Sequence, residues 1–155
     1  MAGMNAEYIN PFLMASTKVL KDFVMIDAKV GKPYLKTTEF GEGLLLIMLG
    51  VTGEIKGQVI LEFKNGVALD IASKMCMMQM EELNELSQSA ISELCNMILG
   101  NTATVFSNSG IVIDITPPTL CRGPVNFSNS FATNICVPLV YDEDKVIEIN
   151  IALAS

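Results

Sequence analysis

The chain has 155 residues, half of them hydrophobic, with 10 Lys and Arg against 17 Asp and Glu and no histidine. That length fits one domain and the apolar half supplies its core. A formal charge of −7 with no basic cluster argues against nucleic-acid binding, and the missing imidazoles exclude Ser-His-Asp triads, Cys-His pairs and His-ligated zinc.

Taken in chain order, the first element is a helix from Asn10 to about Asp27, with Asn10 as its cap and Pro11 at the first helical position. Phe12, Leu13, Val19, Leu20, Phe23 and Val24 define its apolar face. Lys32-Pro33 breaks the pattern. Strand-like runs follow near Tyr34–Thr38, Gly43–Leu49 and Lys56–Phe63, separated by glycines that suit hairpin turns. Val67–Met78 reads as a second helix and Glu81 to about Val105 as a long third one. Strands return at Ile111–Thr116, Thr133–Tyr141 and Val146–Leu153, with Asp142-Glu143-Asp144-Lys145 as a hairpin tip and Asn126–Asn134 as loop. The predicted class is α+β in the order α-βββ-αα-βββ, an antiparallel sheet of about six strands with helices on one face, because the connections are too short for parallel crossovers. Sparse Lys and Arg in the final strands leave an exposed edge able to pair with a second copy.

Cys76, Cys95, Cys121 and Cys136 form no C-x-x-C pair and read as buried thiols in a reducing compartment, without zinc or dithiol chemistry. The methionines, Met75, Met77, Met78 and Met80 among them, read as flexible core packing. No signal-peptide pattern opens the chain, and the apolar run Leu44 to Val51 is far short of the ~20 residues that span a bilayer. The expectation is one cytoplasmic domain over 1–155, with residues 1–4 as a flexible N-terminus and no membrane contact.

The third helix carries the chemistry. At ~100° per residue, Glu82, Glu85, Ser89, Glu93, Asn96 and Gly100 fall in one stripe, opposite Leu83, Ile91, Leu94, Ile98 and Val105. A solvated face alone accounts for most such stripes. Here, however, Asn96 is a mediocre helix former in mid-helix, and Gly100 one turn on costs ~1 kcal/mol relative to Ala while leaving space beside it. Pro118 follows Asn96 by 22 positions.

Ser89, Glu93, Asn96 and Pro118 together resemble the motif of the CheC/CheX/FliY family of chemotaxis phosphatases: Asp or Ser, Glu four residues on, Asn three further, then a proline about twenty-two later. Length, element order and the opening Ile9-Asn10-Pro11-Phe12-Leu13 are most similar to CheX. The resemblance implies hydrolysis of the aspartyl-phosphate on a CheY-like receiver domain, a response regulator of bacterial chemotaxis. Asn96 would orient the attacking water and Glu93 would pair with a receiver lysine, while Ser89, Gly100 and Pro118 shape or support the contact. It also implies a homodimer, Mg²⁺ held by the receiver's own carboxylates, and no metal or other cofactor in this chain.

Glu7 and Asn10 repeat the E-x-x-N spacing, and Pro33 follows with 22 residues between against 21 between Asn96 and Pro118, as the trace of an internal duplication would. Gly3 stands where the motif has Asp or Ser, and Pro11 biases Asn10 toward a capping role ahead of the helix. This copy therefore reads as structural, leaving a single site. The rival within the same fold is a non-catalytic receiver-binding or flagellar-switch-like module, against which the retained Glu93 and Asn96 pair speaks. A homodimer without a receiver partner is the remaining alternative.

Overall fold

Residues 45–51 and 59–63 bury nearly every side chain, as strands covered on both faces must. They belong to a computed structural model that describes residues 6–127 and 133–154; the reading of residues 1–4, and most of the expected loop at 126–134, lie outside the described residues. The elements are α1 (Ala6–Val24), β1 (Lys29–Val30), β2 (Tyr34–Leu35), β3 (Glu39–Phe40), β4 (Leu44–Gly53), β5 (Lys56–Lys64), α2 (Asn65–Cys76), α3 (Glu85–Asn108), β6 (Ile113–Ile115), β7 (Thr119–Arg122), β8 (Val125–Asn126), β9 (Ile135–Tyr141) and β10 (Lys145–Ala154).

The main sheet is antiparallel and runs β1-β9-β10-β5-β4-β6, with β2 also beside β9 and β7 also beside β4. Eight segments thus fill six lateral positions, in accord with the expected α+β sheet of about six strands. The short strands β1, β3, β7 and β8 were beyond sequence periodicity, since two to four residues establish no alternation. Alternate residues of the long strands, Leu45, Ile47 and Leu49 of β4, Leu61 and Phe63 of β5, and Ile147, Ile149 and Ile151 of β10, meet all three helices in one core. On the opposite face Leu46 and Ile60 pack under Phe40 of β3, with Val125 and Phe127 beside them.

The final strands are not the exposed edge. β10 is paired on both sides, with β5 and β9, and β9 is flanked by β1 and β2. The outermost segments are β1 and β2 at one side and β6 and β7 at the other. Along β4 the register slips by one residue between β6 and β7, at Pro117-Pro118. Neither proline can donate to a ladder, so they sit at an edge bulge. Thr116 holds the bend, its Oγ1 accepting from the Gly50 N–H at 2.7 Å.

The two halves of the chain repeat one plan. A helix leads into short strands and then a long hairpin, first as α1 to β5 and again as α3 to β10. Each half's outer strands pair with the other half's hairpin, β1 and β2 on β9 and β6 and β7 on β4, while β3 pairs with β8 and β5 with β10. The connectivity has an approximate two-fold axis between β5 and β10.

Two helix starts differ from expectation. Glu7 and Asn10 lie inside α1, not ahead of it, and Pro11 sits within the helix. Pro11 forgoes one backbone hydrogen bond, but burying Ile9, Phe12, Ala15, Val19 and Leu20 outweighs that loss. The helix ends at Val24, earlier than Asp27: Met25 turns left-handed at φ 61 and the Ile26 N–H reaches back to the Leu20 carbonyl at 3.0 Å. α3 begins at Glu85 and not Glu81, because Asn84 caps it, its Oδ1 accepting from the Ser87 N–H at 3.0 Å. The expected tip at 142–144 is a hairpin turn with Asp142 and Glu143 at positive φ.

Candidate functional site

The site is built on α3. Ile91, Leu94, Cys95, Ile98, Leu99, Thr102 and Phe106 are buried against the sheet and α1, and Phe106 meets Phe12 of α1 edge to face at 5.7 Å. The rotation of the helix is thereby fixed. The opposite stripe is fixed with it: Ser89, Glu93, Asn96 and Gly100 are all exposed, at spacings of four, three and four residues that keep them on one face.

Among the described residues, no hydrogen bond or ion pair engages the Glu93 carboxylate or the Asn96 carboxamide. Neighbouring amides are committed elsewhere. Asn101 Nδ2 donates to the Met97 carbonyl at 2.9 Å, Gln88 Nε2 to the Leu83 carbonyl at 2.5 Å, and Asn84 caps the helix. Asn96 alone of these four presents both its oxygen and its NH₂ to a partner. A Cβ added at Gly100 would meet nothing within 4 Å, so the surface one turn beyond Asn96 is open. Cys95, adjacent in sequence, points inward; burial pushes its thiol well above its ordinary pKa, so it is no nucleophile.

The expected stripe is corrected at its start. Glu82 and Leu83 precede the Asn84 cap and are not helical. Pro118 lies on a different element, half-buried in the bulge between β6 and β7. α3 packs against both of those strands, so the proline shapes the edge beside the helix and is not part of its stripe. Leu86, missed from sequence, is 53% exposed and falls seven residues before Glu93, on the same face. It borders an open hollow of about 600 Å³ together with Met78, Met80, Glu81, Glu82 and Asn84. Extending the helical register backward from Glu93 would have found it. Met80 is buried and Met75 half-buried as core packing requires, but Met77 and Met78 are 92% and 55% exposed, since Met77 closes α2 in a left-handed conformation.

A second polar cluster lies on the other face of the sheet. Lys36 pairs with Glu62 at 2.6 Å and with Glu148 at 3.7 Å. Asn150 donates to Glu62 at 3.2 Å, Cys136 to Glu148 at 3.0 Å, and the Tyr34 hydroxyl to Glu148. Burial works against the Glu148 carboxylate, yet hydrogen bonds from Tyr34 and Cys136 and the Lys36 charge hold its pKa below the ordinary value. Burial, with the Glu148 carboxylate adding to it, pushes the Cys136 thiol up to about 12. Glu62, Cys136 and Glu148 are close enough to share an ion, but Lys36 already supplies the cation. The cluster ties β2, β5, β9 and β10 together. All four cysteines are free, Cys95 and Cys136 buried and Cys76 and Cys121 half-buried.

Known proteins resemble this chain in sequence and in fold. The family model "Chemotaxis phosphatase CheX" matches residues 45–139. The CheY-P phosphatase CheX of Thermotoga maritima is 30% identical over 98% of this chain and 99% of its own length. A CheC-like superfamily protein from Shewanella sp. PV-4 superposes with a TM-score of 0.86 at 27% identity, covering 98% of this chain and 100% of that one. CheX in the CheX-CheY-BeF₃-Mg²⁺ complex of Borrelia burgdorferi gives 0.83 at 30% identity, over 97% and 100% of the two chains. No helix among the described residues is long and apolar enough to cross a membrane. With a family model covering more than half of it and a full-length relative of the same kind, the chain belongs to the CheX family of chemotaxis phosphatases.

Proposed function

We propose that this protein accelerates hydrolysis of the aspartyl-phosphate on a CheY-like receiver domain, with α3 as the surface that enters the receiver's phosphorylation site. The observation that carries the reading is the exposed Glu93 and Asn96 pair on one helical face of a CheX-family chain, with no hydrogen-bond or ion-pair partner among the described residues.

An acyl phosphate needs a placed water more than it needs a nucleophile from the protein. Asn96 Oδ1 accepts a hydrogen bond from that water while Nδ2 donates to a phosphoryl oxygen. The water attacks phosphorus in line, the bond from phosphorus to the aspartyl oxygen breaks, and the receiver's carboxylate leaves with both bonding electrons. Glu93 pairs with a lysine of the receiver and fixes the docking register; it is an anchor and not a general base. Ser89 and Gly100 let the receiver approach, and Pro118 supports the neighbouring edge. Mg²⁺ belongs to the receiver's carboxylates, so the reading assigns this chain no cofactor. It places the protein in the cytoplasm with its phosphorylated partner. A homodimer is part of the same reading, its support being the outer sheet edges, β1 and β2 on one side and β6 and β7 on the other, and not the final strands; sedimentation of the purified chain tests it.

The experiment for the function is the lifetime of a phosphorylated CheY-like receiver with and without catalytic amounts of the protein. The expected result is a lifetime shortened in proportion to added protein. A lifetime that does not change overturns the reading in favour of a binding module.

A further inference from the structure

We propose that the hollow between the end of α2 and the start of α3 takes an apolar side chain of the receiver bordered by Lys or Arg, and thereby selects which receivers the protein accepts; the proposal deepens, and rests on, the reading of Glu93 and Asn96 given above.

Among the described residues from 36 to 111, Met77, Met78 and Leu86 are the large apolar side chains left exposed. Met78 and Leu86 line one hollow of about 600 Å³, with the buried Met80 in its wall. The recess is held in shape without a partner. The Met78 N–H donates to the Ser73 carbonyl at 3.2 Å, the Met80 N–H to Ser73 Oγ at 2.9 Å, and Asn84 caps the helix beside them. Filling a preformed recess costs little ordering, and methionine adapts to the shape that enters.

Position and charge name the occupant. Leu86, Ser89, Glu93 and Asn96 share one helical face, and the ten residues from Leu86 to Asn96 span about 15 Å. A standard interface covers roughly 800 Å² of each partner, a patch on the order of 30 Å across, so a receiver centred on Asn96 reaches the hollow. In the other direction, the exposed residues of α3 past Gly100 are Thr104, Ser107 and Asn108, which are polar and offer no apolar anchor. The rim of the hollow is acidic. Glu81, Glu82 and Glu85 are exposed, and no Lys or Arg occurs from residue 75 to residue 121. A receiver segment with an apolar side chain between basic ones matches both recess and rim, and one that brings a carboxylate there is repelled.

The test is calorimetry of the intact protein with a CheY-like receiver activated by beryllofluoride and Mg²⁺, alongside steady-state phosphate release from the phosphorylated receiver, with thermal melts and sedimentation of every variant. Leu86→Ser, and separately Met78→Ser, should weaken binding and raise KM by roughly 5- to 10-fold with kcat held within about twofold. Each should also make the heat-capacity change on binding less negative, the mark of lost apolar burial. Asn96→Ala should act the other way, lowering kcat with binding retained. Met25→Asn removes a side chain 84% exposed at the end of α1 and should change neither. Affinity and heat capacity untouched in both serine variants, with phosphate release still lost in Asn96→Ala, overturn the hollow and leave α3 standing. Self-association lost in either serine variant with receiver affinity unchanged assigns the hollow to a second copy of the chain and overturns the proposal. Phosphate release that survives Asn96→Ala unchanged overturns the reading of α3 on which the proposal rests.

Discussion

Replacing Asn96 with Ala separates catalysis from folding. The carboxamide is exposed and makes no hydrogen bond to the described residues, so its loss removes no native hydrogen bond. Ala is the better helix former by about 0.6 kcal/mol, which in a domain of this size corresponds to a melting temperature raised by roughly 1–2 °C. The chemical step should respond in the opposite sense. Losing one group that positions water and donates to the phosphoryl oxygen costs about 2.7–4 kcal/mol of transition-state stabilisation, on the order of 10²–10³ in rate, by analogy with removal of an oxyanion-stabilising donor. The assay is phosphate release from a phosphorylated receiver, paired with a thermal melt. Asn101→Ala is the control: its amide is tied to the Met97 carbonyl, so activity should hold. Asn96→Ala activity within about threefold of the parent would refute the positioning argument. A melting temperature lowered by several degrees would instead mean that the carboxamide holds the helix together.

Glu93→Lys, at an exposed position without an ion-pair partner among the described residues, should weaken binding of the beryllofluoride-activated receiver by at least ~10-fold without altering the melt. Lys36→Met removes the cation between Glu62 and Glu148, whose side chains are 9% and 23% exposed. It should cost roughly 2–3 kcal/mol at pH 7, below the ~3–5 of a fully buried pair. The deficit should shrink toward pH 4, because Glu148, whose carboxyl Lys36 helps to hold below its ordinary range, takes up its proton more readily without that cation; urea unfolding at both values checks it. Asp70 joins α2 to β9, accepting from Lys74 and the Tyr141 hydroxyl at 2.8 Å each. Burial raises its pKa, but those two partners outweigh it and hold the carboxyl below its usual range. Its contribution is therefore complete above the unfolded value of about 4 and is lost as pH falls through the lower folded value, so the stability gap between the parent and Asp70→Asn should hold at neutral pH and close as pH falls below about 4. Two glycines should respond oppositely to Ala. At Gly57 the new Cβ would lie 2.1 Å from the Ala152 carbonyl oxygen, and forcing β5 from β10 should cost more than ~2 kcal/mol. At Gly100 the space is open, and the helix should gain ~1 kcal/mol.

The features legible in the sequence are those with local periodicity. The amphipathic division of α3 put Glu93 and Asn96 on the face where the structure has them, and the strand-like runs at Lys56–Phe63 and Val146–Leu153 fall on β5 and β10, although burial on both faces replaces the alternation expected of the second. Capping was misread twice, for opposite reasons. Asn10-Pro11 has the local chemistry of a helix start, yet buried contacts to Ile9 and Phe12 draw the helix through it. Asn84 has equal capping chemistry but is flanked by residues that continue a helical pattern, so the true start was passed over. The scarcity of basic residues in β10 marks an interior strand, between β5 and β9, and not an exposed edge; composition alone does not give sheet order. The cluster of Lys36, Glu62, Cys136 and Glu148 joins positions far apart in sequence, and each partner alone looks like an ordinary strand residue.

The pairing of β5 with β10 has a consequence for synthesis. A nascent chain that has reached β9 holds every helix and the first long hairpin, but the middle of its sheet is missing. Ile147, Ile149 and Ile151 enter the common core only with the last strand. Stable closure on the ribosome must wait until residues 145–154 clear the exit tunnel. Until then the inner margin of β5 is an unguarded template for other polypeptides.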